Sequence, residues 1–259
     1  MNQLNNTFKP LGLLVIALVL MLLPEMTFGQ ARPQFRALVF SKTQGFRHQS
    51  IPEGVAAIKK LGEKHRFQVY ATEDAGQFTS ENLEKYDVII LMSTTGTIFN
   101  EEQKAAFEAF VQSGKGVVGV HSATDTEYEW EWYSKLIGGQ FAHHPHQQTA
   151  RMEVVDGNHP STYHLNEKWL RTDEWYEFKN FNDKVNILIQ LDETSYDVGE
   201  RGGNKMGMGA VHPISWYHEY DGGRIFYTGL GHVEEAFEDA DFLDHLYGGI
   251  WYAALGMPL

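Results

Sequence analysis

The chain has 259 residues, no cysteine and a formal net charge of −13 at pH 7. The absence of cysteine excludes disulfides, thiolate metal ligands and thiol nucleophiles, so a hydrophobic core must stabilise the fold. The negative charge argues against a surface that follows the phosphates of nucleic acid or of anionic lipid. A neutral small molecule or a metal cation remains compatible with it.

The first residues have the order of a secretory signal peptide. Lys9 precedes the apolar run Leu11–Leu23, and the small-residue segment Thr27–Gly29 follows. The run is shorter than the roughly 18 residues that a membrane-spanning helix needs. We therefore predict a signal peptide over residues 1–29, cleavage after Gly29, and a periplasmic or secreted protein of residues 30–259. An uncleaved membrane anchor is the alternative.

The mature part begins with alternating strand and helix patterns. Strands are predicted from Phe35, over Phe67–Asp74, over Asp87–Ser93 and over Gly116–Val120, and helices over Ile51–His65, over Ser80–Lys85 and from Asn100 to Gly114. Continuous apolar strands between amphipathic helices are typical of a parallel sheet that is covered on both faces. We therefore predict an α/β fold with a doubly wound, mainly parallel sheet.

The second half is less regular. Thr126–His146 is aromatic and acidic and is predicted to be an elaboration, and Thr149–Val155 alternates like a half-exposed strand. Three further strands are predicted from Val185, from His212 and from Gly223, and a closing helix over about Asp239–Ala254. The turn sequence Asp-Gly-Gly before the last strand predicts an antiparallel C-terminal hairpin. No repeat or linker interrupts residues 30–259, which favours one domain.

Three histidines follow predicted strands at the edge where an open α/β sheet binds its ligand. They are His48, His121 and His232, and we expect at least two of them to line one site. Histidine can act as a general acid or base or as a metal ligand, and the spacing does not separate these roles. His144, within the tract His143–His146, is a further candidate ligand, although no motif such as HExxH accompanies it.

Asp173–Tyr176 combines carboxylates with aromatic rings. A sugar can stack its C–H face on an aromatic ring while its hydroxyls bond to carboxylates, so Glu174, Trp175 and Tyr176 are candidate site residues. Ordinary packing in the core and at its rim explains such aromatic pairs more often. Ser122 lies beside His121, but a G-x-S-x-G elbow is absent, which argues against a serine nucleophile.

Several motifs occur in one order along the chain. They are GFRH ending at His48, HSATD at His121–Asp125, GGQF followed by HHPH up to His146, DEWY at Asp173–Tyr176, HPISW ending at Trp216 and GRIFYTGLGH ending at His232. Together they resemble the ThuA-like (trehalose utilisation) family over about Phe35–Gly256. That family is similar in fold to class I glutamine amidotransferases, which implies a flavodoxin-like core with extra strands.

The resemblance also implies a function. In the amidotransferases a nucleophilic cysteine occupies the tight turn after a central strand, where this chain has His121, so thiol glutaminase chemistry is excluded. The family implies carbohydrate utilisation, with a disaccharide or a keto-sugar derivative as substrate. For a keto-sugar, His121 or His232 would be the base and Asp125 or Glu174 would orient it.

The remaining candidates would contact the substrate or a metal. Under the resemblance, His48 and His144 would hold hydroxyls or a divalent ion such as zinc, and Ser122, Trp175 and Tyr176 would bind substrate. The candidate metal ligands are His48, His121, His144 and His232. A non-catalytic, exported sugar-binding module and a metal-dependent hydrolase of another substrate class remain as alternatives.

The signal peptide is testable on the exported protein. Expression with the full leader in a Gram-negative host is expected to give a mature chain that begins at Gln30, because the peptidase recognises the small residues before it. Intact mass measurement of the periplasmic fraction checks this. A chain retained in the membrane fraction with its leader attached would instead identify an anchor.

Overall fold

A mixed β-sheet organises the part of the chain that the computed structural model describes, Met1 and residues 32–256. In chain order the elements are β1 (Arg36–Phe40), α1 (Ile51–His65), β2 (Gln68–Thr72), α2 (Ser80–Leu83), β3 (Val88–Met92), α3 (Glu101–Gln112), β4 (Gly116–Val120), α4 (Glu131–Ile137), β5 (Gln140–His143), β6 (Gln148–Val154), β7 (Lys168–Asp173), β8 (Glu177–Lys179), β9 (Asn186–Leu191), β10 (Glu200–Arg201), β11 (Asn204–Lys205), β12 (Pro213–Tyr220), β13 (Gly223–Thr228) and α5 (Ala240–Leu255). Nine strands form the main sheet in the order β2-β1-β3-β4-β13-β12-β9-β6-β7.

One half of the sheet is parallel. β2, β1, β3, β4 and β13 all run in the same direction. β3 and β4 are fully buried and carry continuous apolar, largely β-branched side chains, as expected for strands that are covered on both faces. The predicted doubly wound, flavodoxin-like α/β class with a mainly parallel core is confirmed.

Two glycines of β4 show how helices cover both faces of the sheet. A side chain at Gly116 would collide with the backbone of Ala253 in α5, and one at Gly119 would collide with Ile137 in α4. Residues an odd number apart in a strand point to opposite faces. α5 and α4 therefore pack against opposite faces, and glycine in β4 allows both to approach closely.

The C-terminal hairpin joins the two halves of the sheet. β13 pairs in parallel with β4 on one side and antiparallel with β12 on the other, through a turn that contains Asp221 at φ 50° and Gly222 at φ 92°. The predicted antiparallel hairpin is confirmed. Its second strand thereby continues the parallel core, and its first strand begins the antiparallel extension.

The middle region contributes more to the sheet than its sequence indicates. β6 and β7 extend the sheet beyond β9, and β5 pairs with β8 in a separate two-stranded sheet. β7 was not predicted because its hydrophobic pattern is inverted: Leu170 is exposed, whereas Arg171 and Asp173 are buried. Charged residues at inward positions remove the alternation by which a half-buried strand is recognised.

The predicted signal peptide falls on residues 1–29, of which the structure describes only Met1. Within the described part of the chain, no helix has both the length and the apolar character needed to cross a bilayer.

Three buried histidines outside the sheet edge are held in the neutral form. Burial lowers the pKa of His245 to about 3 and the pKa values of His159 and His218 to about 4. His159 Nδ1 accepts hydrogen bonds from the backbone N–H and the hydroxyl of Ser161, so its protonation would break both. The folded chain therefore resists protonation of these rings at neutral and mildly acidic pH.

This neutrality predicts a loss of stability in mild acid. Below about pH 6.5 the unfolded chain protonates these histidines, whereas the folded chain does not do so until about pH 4 to 3. Unfolding therefore takes up protons, and the free energy of unfolding should fall by about 1.4 kcal/mol per pH unit for each such histidine as the pH decreases from 6.5 to 4. Urea unfolding in a chelating buffer at several pH values measures the slope. A stability that stays constant or rises over this interval would contradict the assignment.

Candidate functional site

Three histidines meet at the carboxyl edge of the sheet. His48 lies in the loop between β1 and α1, His121 directly follows β4, and His232 follows β13. Because β4 and β13 are parallel neighbours, the residues that follow them emerge side by side. The structure thus brings together all three strand-end histidines that the sequence analysis selected.

The ring nitrogens of these histidines point at one another. The distance from His121 Nε2 to His48 Nε2 is 3.1 Å, and that from His121 Nε2 to His232 Nδ1 is 3.2 Å. Glu174 Oε2 lies 3.2 Å from His232 Nδ1 and 3.6 Å from His121 Nε2. One ligand atom from each of the four residues falls within 4.8 Å of the other three. We call these four residues the histidine–glutamate cluster.

A hydrogen bond at the back of the His121 ring assigns its proton. His121 Nδ1 lies 2.9 Å from the carbonyl oxygen of Gly229, which can only accept, so Nδ1 carries the proton and Nε2 presents a lone pair to the cluster. His48 Nδ1 lies 3.2 Å from the hydroxyl of Ser122. Ser122 therefore contacts the back of His48 rather than the centre of the cluster.

The backbone at His121 has an unusual conformation. Its φ is 48°, in the left-handed region, at the point where β4 turns into a short 3₁₀ segment, His121–Asp125. A residue other than glycine adopts this conformation at some cost, and such residues concentrate at functional sites. The position is the tight turn after a central strand, where the resemblance places the cysteine of the amidotransferases.

Glu174 connects the cluster to a fourth histidine. Its Oε2 faces the cluster, and its Oε1 lies 3.1 Å from His144 Nδ1, which is also 2.8 Å from the carbonyl oxygen of Pro145. Both neighbours accept, so His144 carries its proton on Nδ1 and leaves Nε2 unprotonated when the ring is neutral. The side chain of His144 is 40% exposed, whereas that of His121 is fully buried.

The pKa shifts in the cluster favour a neutral His48 and an ion pair between Glu174 and His232. Burial, reinforced by the neighbouring His121 and His232, lowers the pKa of His48 to about 3. Burial opposes ionisation of Glu174, but hydrogen bonds and charge from His121 and His232 outweigh it and hold the pKa of that carboxyl well below its usual range. Burial likewise opposes protonation of His232, and its bond to Glu174 outweighs this and raises the pKa of His232.

Asp173 fixes the two chain segments that carry Glu174 and His232. It is fully buried at the end of β7, and its Oδ1 accepts the backbone N–H groups of Glu174, at 2.9 Å, and of His232, at 3.1 Å. Its Oδ2 accepts the backbone N–H of Gly231 at 3.0 Å. The sequence indicates no such role for Asp173 beyond its position next to Glu174.

The other predicted site residues lie around the cluster or behind it. Asp125 accepts a hydrogen bond from the hydroxyl of Tyr128 at 2.5 Å, and burial raises the pKa of its carboxyl. Tyr176 is buried with its ring centroid 4.4 Å from that of His121. Trp175 is fully buried, and its indole N–H donates to the carbonyl of Gln148. Neither aromatic ring offers an open face to a sugar, so their assignment to substrate stacking has no support in this arrangement.

The comparisons with known proteins agree on the fold. Residues 36–253 match the model of the ThuA family, described as trehalose utilisation. A protein named as ThuA-like from Bacteroides uniformis ATCC 8492 has 24% identity and a TM-score of 0.72, over 88% of this chain and 94% of that one. A second, from Parabacteroides merdae ATCC 43184, has 21% identity and a TM-score of 0.71, over 86% of this chain and 91% of that one.

A more distant structural match is a protein that is not named as ThuA-like. A chain of PurLQS from Thermotoga maritima has 16% identity and a TM-score of 0.52, over 86% of this chain and 99% of that one. No curated protein matches the sequence. Identities below 25% show the fold, which is the class I glutamine amidotransferase-like fold that the resemblance implied, whereas the family model covers most of the described chain. The chain therefore belongs to the ThuA, or trehalose utilisation, family.

Proposed function

We propose that this protein is an exported enzyme of carbohydrate utilisation that acts on a disaccharide or a keto-sugar derivative by histidine-based acid–base chemistry, assisted by a divalent metal ion such as zinc. The family match supports the carbohydrate class. The convergence of three imidazole nitrogens and one carboxylate oxygen within 4.8 Å, in a largely buried setting, carries the rest of the proposal.

The donor set of the histidine–glutamate cluster fits a metal. Four ligands about 2.1 Å from a tetrahedral ion lie about 3.4 Å from one another. Four of the six ligand pairs, those around His121 and His232, lie at 3.1 to 3.6 Å, and the other two pairs lie within 4.8 Å. Imidazole and carboxylate are ordinary zinc ligands, and the outer hydrogen bond from His121 to the Gly229 carbonyl orients its ring as the second shell of a metal site does.

A divalent ion would replace a single ring proton at the centre of the cluster. His121 Nε2 presents a lone pair at 3.1 Å from His48 Nε2, burial keeps His48 neutral, and His48 can donate Nε2–H to His121 while its Nδ1 accepts from Ser122. Moving that proton to Nδ1 would make both Nε2 atoms available as ligands, the form of imidazole that binds metals. The four groups together fill a tetrahedral shell, so a carbonyl or hydroxyl oxygen of the substrate would be polarised as a fifth ligand.

His144 is the base in this proposal. His121 Nε2 and His232 Nδ1 face the cluster and would be metal ligands, whereas His144 stands outside it, partly exposed, with Nε2 unprotonated in the neutral ring. His144 Nε2 would accept the proton from the carbon next to the keto group and return it later in the reaction. Glu174 holds Nδ1 and so stabilises the imidazolium that forms, while Asp125 and Tyr128 lie nearby as a bonded pair.

Metal content is the direct test of this proposal. The mature protein should contain about one equivalent of zinc or another divalent ion by elemental analysis. His121→Ala should lose it, because this ring contacts both other histidines and Glu174. His146→Ala, an exposed residue of the same histidine tract, is the matched control and should keep the metal.

Measurements of turnover distinguish a catalytic protein from a non-catalytic sugar-binding module. A 3-keto-glucoside should be converted by the metal-loaded protein and not after chelation, whereas trehalose, which has no keto group, should not react by this base mechanism and is the comparison substrate. His144→Gln should lower kcat about 10²-fold or more while metal content is unchanged, because general base catalysis contributes about 10² to 10⁴. Saturable sugar binding without metal and without turnover would move the assignment to a non-catalytic accessory module.

Asp173 gives a second test of the cluster. In Asp173→Asn one carboxylate oxygen becomes an NH2 group that faces a backbone N–H donor, so Glu174 or the Gly231–His232 segment must shift. Metal affinity should fall about 10- to 100-fold. Asp183→Asn, at an exposed aspartate, is the control. An Asp173→Asn protein that binds metal as tightly as the wild type would remove Asp173 from the support of the site.

A further inference from the structure

An open cleft lies beside the histidine–glutamate cluster. It has a volume of about 340 Å³ and is lined by His232 together with Phe46, Gln49, Gln147, Val233, Glu234 and Glu235. This volume lies within the range of small-molecule sites, roughly 300 to 1,000 Å³. His232 belongs to both the cleft and the cluster, so a molecule in the cleft would lie next to the reacting groups.

Phe46 is the unusual member of this lining. Its side chain is 65% exposed, and its ring stands edge-on to that of His48, with 4.9 Å between the ring centroids. Most of the ring therefore remains accessible beside a polar site. Small-molecule sites commonly combine aromatic surface with a few polar groups in this way.

The loop that carries Phe46 is held firmly. The hydroxyl of Thr95, a buried residue after β3, donates to the carbonyl of Phe46 at 2.9 Å and accepts the backbone N–H of Gly45 at 3.2 Å. Arg47 forms two hydrogen bonds to Glu73, at 2.7 and 3.1 Å. Bonds on both sides of Phe46 keep its backbone in place, so the ring is presented to the cleft rather than left on a loose loop.

The polar groups that line the cleft indicate which class of ligand would stack on the ring of Phe46. The side-chain amides of Gln49 and Gln147 offer both donors and acceptors, and the carboxylates of Glu234 and Glu235 accept from hydroxyls. Among the described residues that line this cleft there is no lysine or arginine. An apolar face surrounded by such groups suits a neutral polyhydroxylated ring and disfavours a phosphorylated one.

We propose that this cleft is a subsite for the second, non-reacting sugar unit of a neutral disaccharide, with Phe46 as its stacking platform. The proposal rests on the proposed function, since it places the reacting unit at the histidine–glutamate cluster. It makes Phe46 a specificity-determining residue, in the role that the buried Trp175 and Tyr176 cannot take.

The test compares disaccharides with monosaccharides. Calorimetry on the zinc-loaded wild type would use trehalose, maltose, cellobiose and lactose against glucose, with trehalose 6-phosphate as the charged analogue. At least one neutral disaccharide should bind more tightly than glucose and than the phosphorylated sugar. Phe46→Ala should weaken that binding about tenfold and change glucose binding less than twofold, because only the second unit contacts the ring.

Two further variants make the result specific. Phe46→Trp keeps a stacking face and should retain the affinity for the disaccharide. Tyr163→Ala removes an equally exposed aromatic ring, 64% exposed, that is not part of the cleft lining, and should bind like the wild type. Zinc content is measured for every variant and should not change.

The outcomes separate this inference from the proposed function. The subsite is overturned if no neutral disaccharide binds better than glucose, if Phe46→Ala binds it like the wild type, or if both sugars lose affinity equally. Tighter binding of trehalose 6-phosphate would also overturn it. Selective loss of disaccharide binding in Phe46→Ala supports the subsite even if no sugar is turned over, in which case only the catalytic part of the proposed function fails.

Discussion

The carboxylate of Asp173 is the interaction on which the geometry of the site depends. It is fully buried, and its two oxygens accept three backbone N–H groups, from Glu174, Gly231 and His232. A carboxylate satisfied in this way is stable in the interior, whereas the same group without partners would not be. Arg171, buried beside it on β7, lies 3.8 Å from Asp173 and pairs with Asp239 at 2.9 Å, next to α5. The charged interior of β7 thus joins the antiparallel end of the sheet to the loop after β13.

The fold explains why the site forms at this edge. Starting from β1, the chain adds β2 on one side and β3 on the other, so the strand order reverses between β1 and β3. Loops that follow strands at such a reversal diverge and leave a crevice. Here the loops after β1 and β3 are bridged by Thr43 and Thr95. The loop after β1 carries both Phe46 and His48, so the proposed stacking platform and one imidazole of the cluster come from a single short segment.

The strand-end histidines could be predicted because their positions follow from a rule about parallel sheets. Short apolar segments identified β1, β3, β4 and β13, and His48, His121 and His232 follow three of these strands. β7 could not be predicted from hydrophobicity, since the side chains it buries are those of Arg171 and Asp173. The position of Glu174 beside the histidines depends on β7 and therefore stayed open. The sequence also could not show that Trp175 is buried and that Phe46 is exposed, because a single aromatic residue has no periodicity that reveals its depth.

The strained turn at His121 is held by groups that the sequence analysis did not connect with it. The hydroxyl of Tyr227 donates to the backbone carbonyl of His121 at 2.7 Å, and that of Tyr133 donates to the carbonyl of Ala123 at 2.7 Å. Both tyrosines are fully buried, and burial raises the pKa of each phenol, so both remain protonated donors. A left-handed residue other than glycine costs about 1 to 3 kcal/mol, and two buried hydrogen bonds contribute about 1 kcal/mol each. These magnitudes are comparable, so the core bonds suffice to keep the turn in place. His121 Nε2 is therefore aimed at the centre of the cluster by the packed core beneath it.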